Sequence, residues 1–284
     1  MPPHRHRKFV RSKEPPGQLR IQPRDEELFR DLASYRFLDT EQIFALHPAG
    51  ERNARRRLAT PFHMGFLDRP VQQKSFAKQG MSLIYGLGEK GKEFFVEDFD
   101  APERKQREVT FPYLQHAMMI SHFHSAFVLA LRKHEPKEEI TRWIQGQDLK
   151  EALSREGEKT DLVPDAYFRT EDEKGTLNFF VEADQGTMTR QRFLEKMKIY
   201  WHWWRIGYCK QTLDVERFRV LTITPTEERK ESLRRITKKA DTRQDGSLMF
   251  EFLSETQYST KKPDAVLEPV WMSPKDEVRR KLLE

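Results

Sequence analysis

In PRDEELFRDLASYR (23–36) the apolar residues Leu28, Phe29, Leu32 and Tyr35 recur at three- and four-residue steps. That spacing predicts a helix with one buried face, and its acidic first turn suits the helix dipole. In FLDTEQIFALHP (37–48), Asp39 is an N-cap with Gln42 three residues on, and Pro48 stops the helix soon after Leu46. A short turn leads into RNARRRLATPFHMGFL (52–67), a third helix that Pro61 should kink or end early. From Leu67 to Tyr85 the alternation is poor and Gly80 interrupts it, as expected of a two-stranded wing. GEKGKEFFVEDF (88–99) predicts a further helix, and the polar run 96–109 a linker.

Beyond the linker, FPYLQHAMMISHFHSAFVLALRKH (111–134) carries Leu114, Ala117, Ile120, His124, Phe127 and Leu131 at helical spacing. EEITRWIQ (138–145) reads as a strand and DLKEAL (148–153) as a helical turn. DLVPDAYFRT (161–170) and GTLNFFVEAD (175–184) read as strands joined by a charged turn. A helix (188–207), the apolar strand FRVLTITPT (218–226), a helix (226–240) and the strand SLMFEFLS (247–254) follow. Strands that mix hairpin and crossover connections imply a mixed sheet flanked by helices, an α+β or α/β domain.

The predicted organisation is a basic arm (1–23), a winged helix-turn-helix (24–98), a linker (99–110), a mixed-sheet domain (111–256) and a closing tail (257–284). The tail's Val270 and Trp271 hint at docking. The length of 284 residues suits two domains. A net charge of +6 and a pI near 9.2 make a polyanion a plausible partner. The single cysteine, Cys209, rules out an internal disulfide framework or cysteine-rich zinc finger and suits a reducing cytoplasm. No apolar run is long enough to span a membrane, and the start lacks the apolar core of a signal peptide.

Charge location sharpens this. Arg52, Asn53, Arg55, Arg56 and Arg57 fall in the first two turns of the third helix. A helix fits the major groove, and its N-terminal half reaches base edges and phosphates, so these five are candidate DNA-binding residues. The competing reading is one solvated helix face. YGLGEKGKEFF (85–95) satisfies two phosphate-loop patterns, yet Glu93 stands where such a loop needs Ser or Thr. It reads as a strand turning into a helix. In HFH (122–124) the two histidines point about 200° apart on a helix, so they cannot share a metal, and His124 reads as a core residue. WHWW (201–204) reads as core or docking surface more than as a base-stacking platform.

In FFVEAD (179–184), Phe180, Glu182 and Asp184 share one strand face, and Phe179, Val181 and Ala183 the other. Two neighbouring acids on one face repel unless a cation lies between them. Asp165, after Pro164 on the preceding strand, joins them if the hairpin register allows. Such oxygen ligands suit Mg²⁺ or Mn²⁺. The alternative is an exposed sheet edge.

The order of elements and the pattern Asp165…Glu182-x-Asp184 resemble the restriction-endonuclease-like, or PD-(D/E)xK, fold. More narrowly, RDEELFRDLASYRFLDTEQI, HAMMISHFHSAFVLAL, VPDAYF, FFVEADQGTMTR and FRVLTITPTEER resemble the replication-relaxation family, similar to the MOB-C class of conjugative relaxases. The resemblance implies a bacterial, nucleoid- or plasmid-associated nickase acting at an origin of a mobile element. It implies an origin-like site on double-stranded DNA as partner, with relaxosome or replication proteins and a homodimer as further options. Asp165, Glu182 and Asp184 would hold the ion, and a metal-activated water would leave a 3′-hydroxyl and a 5′-phosphate. Asp184 stands where most such nucleases place a lysine, so a charge must come from elsewhere. Gln185, Arg190 and Lys196 are candidates, with Arg190 preferred because two turns separate Lys196 from the strand end. The alternative is a non-catalytic DNA-binding accessory or replication/transcription factor with a degenerate nuclease-like domain.

Overall fold

A computed structural model describes residues 9–12, 19–48, 51–74, 82–93, 108–135, 137–154, 160–240 and 249–283. The chain divides into two compact units, 1–125 and 126–284. Most of the expected arm and linker lies outside the described residues.

In the first unit, α1 (Pro23–Tyr35) buries Leu28, Phe29, Leu32 and Tyr35, the four positions its spacing marks. A three-residue strand, β1 (Phe37–Asp39), follows, unmarked in the sequence. α2 (Thr40–Leu46) starts at Asp39, whose carboxylate accepts from the Gln42 amide at 2.8 Å while the Gln42 side chain accepts from the Asp39 amide. α3 runs Glu51–Met64 with Pro61 inside it, so the expected early end does not occur. Proline near a helix end forfeits one hydrogen bond, and the burial of Leu58 and Phe62 offsets that loss. The expected two-stranded wing is instead part of a three-stranded antiparallel sheet, in the order β1–β3–β2, with β2 at Leu67–Asp68 and β3 at Ile84–Leu87. The helix expected over 88–99 is a single turn, α4 (Glu89–Lys92), with residues 94–99 outside the described set. α5 (Phe111–Leu131) has the length its apolar spacing predicts.

The second unit holds a seven-stranded mixed sheet, in the order β10–β9–β8–β7–β6–β5–β4. β4 (Glu139–Gln145), β5 (Ala166–Asp172) and β6 (Gly175–Ala183) form an antiparallel meander. β6, β7 (Arg219–Thr224) and β8 (Phe250–Ser254) run parallel, and β9 (Trp271–Met272) and β10 (Arg279–Arg280) return antiparallel. α6 (Gly146–Leu153) and α8 (Tyr208–Leu213) complete the connections, while α7 (Arg190–Ile206) and α9 (Glu227–Thr237) follow β6 and β7. The order read from the sequence between 138 and 254 is the observed one except for α8, a short helix that the sequence reading does not include.

Residue alternation decides which sheet face meets which helix. Tyr167, Phe180, Val220, Phe250 and Phe252 pack with Phe193, Leu194, Met197, Tyr200 and Trp203 of α7 in one apolar core. On the opposite face Phe168 stacks on Phe179 at 4.8 Å and on Trp143 at 5.4 Å. Full burial of each such ring contributes ~1.5–3 kcal/mol. The closing segment joins this body: Trp271 is fully buried and donates its indole N–H to the Val266 carbonyl at 2.8 Å.

Candidate functional site

Glu182 is the penultimate residue of β6 and shares a face with Phe180, so its side chain enters the layer between the sheet and α7. There it meets Lys196 and Tyr200, four residues apart on one face of α7. The Lys196 ammonium donates to Oε2 and the Tyr200 hydroxyl to Oε1. Burial pushes the Glu182 carboxyl up to about 7 against the pull of Lys196, and the charge of Asp165 adds to the rise. Burial alone would lower the Lys196 ammonium, but Glu182, Asp165 and Asp184 together hold it above its ordinary value. Tyr200 is buried, first by desolvation and then by Glu182 held well above the usual phenol range, so it is a neutral donor.

The hairpin register does bring Asp165 beside Glu182. Its amide donates to the Val181 carbonyl at 3.1 Å, and its Oδ2 accepts from the Ala183 amide at 2.8 Å. Asp165 is half-buried, and the Lys196 side chain keeps 17% of its surface exposed, so solvent reaches the group from this side.

Asp184 extends the parallel pairing past β6, its amide donating to the Ile223 carbonyl at 2.9 Å. Both its carboxylate oxygens are taken by the fork of Arg229, at 2.7 and 2.9 Å, and Oδ2 also accepts from the Gly186 amide. Arg229 donates as well to the Met188 carbonyl at 2.6 Å. The cation required between two neighbouring acids is thus supplied by the protein twice over, Lys196 for Glu182 and Arg229 for Asp184.

The ground for setting Lys196 aside does not hold, since α7 runs back over the sheet and brings it onto Glu182. Arg190 is exposed at the first turn of α7 and makes no hydrogen bond or ion pair to the three acids among the described residues. Gln185 is half-buried just beyond Asp184. Arg229 was missed. Its signal is the parallel β6–β7 pairing, which sets the first turn of the helix after β7 beside the end of β6.

Among the described residues no three His, Cys, Asp or Glu side chains converge in a group able to hold a metal ion. Asp184, gripped at both oxygens by Arg229, does not fit the role of a third ligand. Asp165 and Glu182 are the two carboxylates left beside Lys196, with both Glu182 oxygens accepting from Lys196 and Tyr200. A hard divalent ion often takes only one or two carboxylates and completes its shell with water and phosphate.

In the first unit, Arg57 forks onto Asp25 of α1, with Nε to Oδ1 at 2.6 Å and a second bond to Oδ2. It joins two helices instead of standing out for a ligand. The backbone of Arg52, Asn53, Arg55 and Arg56 lies in α3, while their side chains fall outside the described set. His124 stacks on Tyr35 with ring centroids 4.1 Å apart, and burial lowers its imidazole to about 3, as a core histidine requires. His122 turns instead to Asp39, at 3.2 Å. The glycines of the phosphate-loop-like stretch have a packing explanation. A Cβ on Gly88 would lie 2.3 Å from the Gly65 carbonyl oxygen, and one on Gly91 2.4 Å from that of Phe66. In WHWW, Trp203 is core, while Trp201 and Trp204 stack on each other at 5.0 Å with Trp204 exposed.

A mixed sheet with a buried carboxylate–ammonium group at the ends of its parallel strands defines an α+β protein with a polar site beside its central crossover. Residues 29–215, more than half of the chain, match the replication-relaxation family. The chain belongs to that family, which ties it to the replication or relaxation of DNA. No curated protein and no solved structure matches it. Among the described residues no helix is long and apolar enough to cross a membrane.

Proposed function

We propose that the chain is a divalent-metal-dependent DNA nickase of the relaxase type, with the cutting site at Asp165, Glu182 and Lys196. The observation that carries this reading is the placement of Lys196, whose ammonium lies on Glu182 and is held charged by Asp165 and Asp184 as well. Ligands in open α/β sheets bind outside the carboxyl ends of the parallel strands, which is where this group lies.

Each side chain has a task in this reading. Asp165 and Glu182 would hold Mg²⁺ or Mn²⁺. An ion held there would lower the pKa of a bound water and offset charge on the phosphate under attack. Lys196 supplies the cation that Asp184 does not, opposes the rise that burial imposes on the Glu182 carboxyl and neutralises the phosphoryl oxygens. Tyr200, buried and neutral, orients Glu182 and is no nucleophile. Asp184 and Arg229 fix the turn that leads into α7. The fold assignment that goes with this reading is restriction-endonuclease-like. For the first unit, the order α1, β1, α2, α3, β2, β3 and the pairing β1–β3–β2 support a winged helix. The start of α3, with Arg52, Asn53, Arg55 and Arg56, would then enter the major groove of an origin-like duplex. Relaxosome or replication proteins and a second copy of the chain are the partners this reading admits.

The test is relaxation of a supercoiled plasmid carrying the native origin, with Mg²⁺ or Mn²⁺. Chelation, Glu182→Ala and Lys196→Ala each abolish it, and the ends formed are 3′-hydroxyl and 5′-phosphate. Undiminished relaxation by Glu182→Ala would sink the site assignment. A second reading, a non-catalytic DNA-binding accessory, is favoured by the internal donors that occupy every oxygen of Glu182 and Asp184. Under it, DNA binding persists with no nicking in any metal.

A further inference from the structure

On α9, Ser232 and Ile236 continue the stripe begun by Arg229, at three- and four-residue steps, and Lys239 follows in the turn just past the helix end. With Arg235 beside them and Arg190 opposite, on the first turn of α7, they line an open cleft of about 250 Å³. Three of these five residues are cations and none is an acid, so the cleft concentrates positive charge.

The contrast with the rest of α9 is informative. Arg229 is spent on Asp184, Lys230 on Glu227, and Arg234 on Glu231 and Glu277. Arg190, Arg235 and Lys239 make no ion pair with any described carboxylate. The one bond of Arg235, from Nε to the Glu231 carbonyl at 3.2 Å, anchors its stem without neutralising it. The N-terminus of α7, seventeen residues long and capped by Thr189, adds its own partial positive charge beside Arg190. Ser232 supplies a neutral donor, and Ile236 an apolar wall of the kind a sugar face can lie on.

We propose that this cleft is a phosphate track that holds the backbone of a DNA strand and leads it to the acid group at the end of β6. Its direction rests on the reading of Asp165 and Glu182 as the cutting site: Ser232 lies one helical turn from Arg229, which holds Asp184, two residues along the chain from Glu182. From Arg229 to Arg235 the helix axis advances ~9 Å. One strand of a duplex presents about three phosphates over that length. The track therefore grips the backbone within a few nucleotides of the cut and is indifferent to base sequence.

The experiment is fluorescence anisotropy of the full chain with a labelled duplex of arbitrary sequence, in chelator, across a salt series. Each phosphate contact contributes roughly 0.9 to the slope of log affinity against log salt. The triple variant Arg190→Ala, Arg235→Ala, Lys239→Ala should lose about two to three units of slope, whatever the first unit contributes. Arg190→Lys, Arg235→Lys keeps the charges and should keep the slope, which separates lost phosphate contacts from a damaged fold. An unchanged slope in the alanine variant overturns the track. No metal is present, so the cleft is read even in a chain that never nicks. Conversely, plasmid nicking by an alanine variant with unaltered slope removes the track and leaves the cutting site standing.

Discussion

The guanidinium of Arg229 holds both carboxylate oxygens of Asp184, at 2.7 and 2.9 Å, with 4% of the Asp184 side chain and 16% of that of Arg229 exposed. Asp184 thereby becomes a strut between the end of β6 and the start of α9. Removing one partner strands a buried charge, which costs more than the pair itself contributes. Arg229→Ala should destabilise the second unit by about 3 kcal/mol in urea unfolding. Arg229→Ala with Asp184→Ala should recover part of that loss, and strictly additive effects would show that the two do not act as a pair.

Glu182 predicts a pH dependence with a definite sign. Its carboxyl is raised from 4.5 to about 7 in the folded chain, so the folded state binds more protons than the unfolded one between those values. Its contribution to stability is complete below pH 4.5 and is lost as the pH rises through about 7. Glu251, also raised to about 7 by burial, contributes in the same window. Each such group lowers the unfolding free energy by about 1.4 kcal/mol per pH unit there. Glu182→Gln should remove one proton's worth of that slope and leave the share of Glu251. A slope identical in the variant would place Glu182 outside the titration.

His124 acts with the opposite sign. Its imidazole is lowered from 6.5 to about 3, so it must stay neutral to remain buried against Tyr35. The stability it contributes is present above pH 6.5 and drains away as the pH falls toward 3. The full effect is up to about 5 kcal/mol for a shift of this size. His124→Phe keeps the ring and removes the proton, and should flatten the acid limb of unfolding measured on the intact chain. An acid limb as steep as that of the parent would refute the assignment.

The arginines of α3 should separate into two kinds. Arg57 bonds to Asp25, which is 3% exposed, so Arg57→Ala lowers the stability of the first unit by about 2–3 kcal/mol. Arg55→Ala with Arg56→Ala should leave stability within about 0.5 kcal/mol. It should also weaken DNA binding and reduce its salt slope by about two contacts. Equal losses of stability from both variants would contradict this division.

The elements between 138 and 254, α8 excepted, were legible because their apolar residues alternate on strands, run continuously through the buried β7 or repeat at helical steps. β1, β9 and β10 carry no such period. They are two or three residues long and owe their existence to partners distant in sequence. The site was legible in its acids and illegible in its cations. Lys196 looks remote when residues are counted from the start of α7. Yet six helical residues advance only ~9 Å, less than three residues of strand, and a helix that returns over the sheet covers that ground backwards. Arg229 depends on the parallel pairing of β6 with β7, which no local pattern announces. Arg57 looked identical to its neighbours in sequence, and only the fold shows that it is committed to Asp25.

The sheet continues well past the residues that carry the family match. That match ends at residue 215, before β7, α9 and β8, and before the buried Trp271. A fragment expressed to those limits would turn β6 from an interior strand into a bare edge. Its unpaired amides and carbonyls would be open to any other chain, and Glu182 would sit at the margin. Asp184 would lose Arg229 in the same cut. For this protein the family boundary is a measure of recognisable ancestry, and the foldable unit is longer.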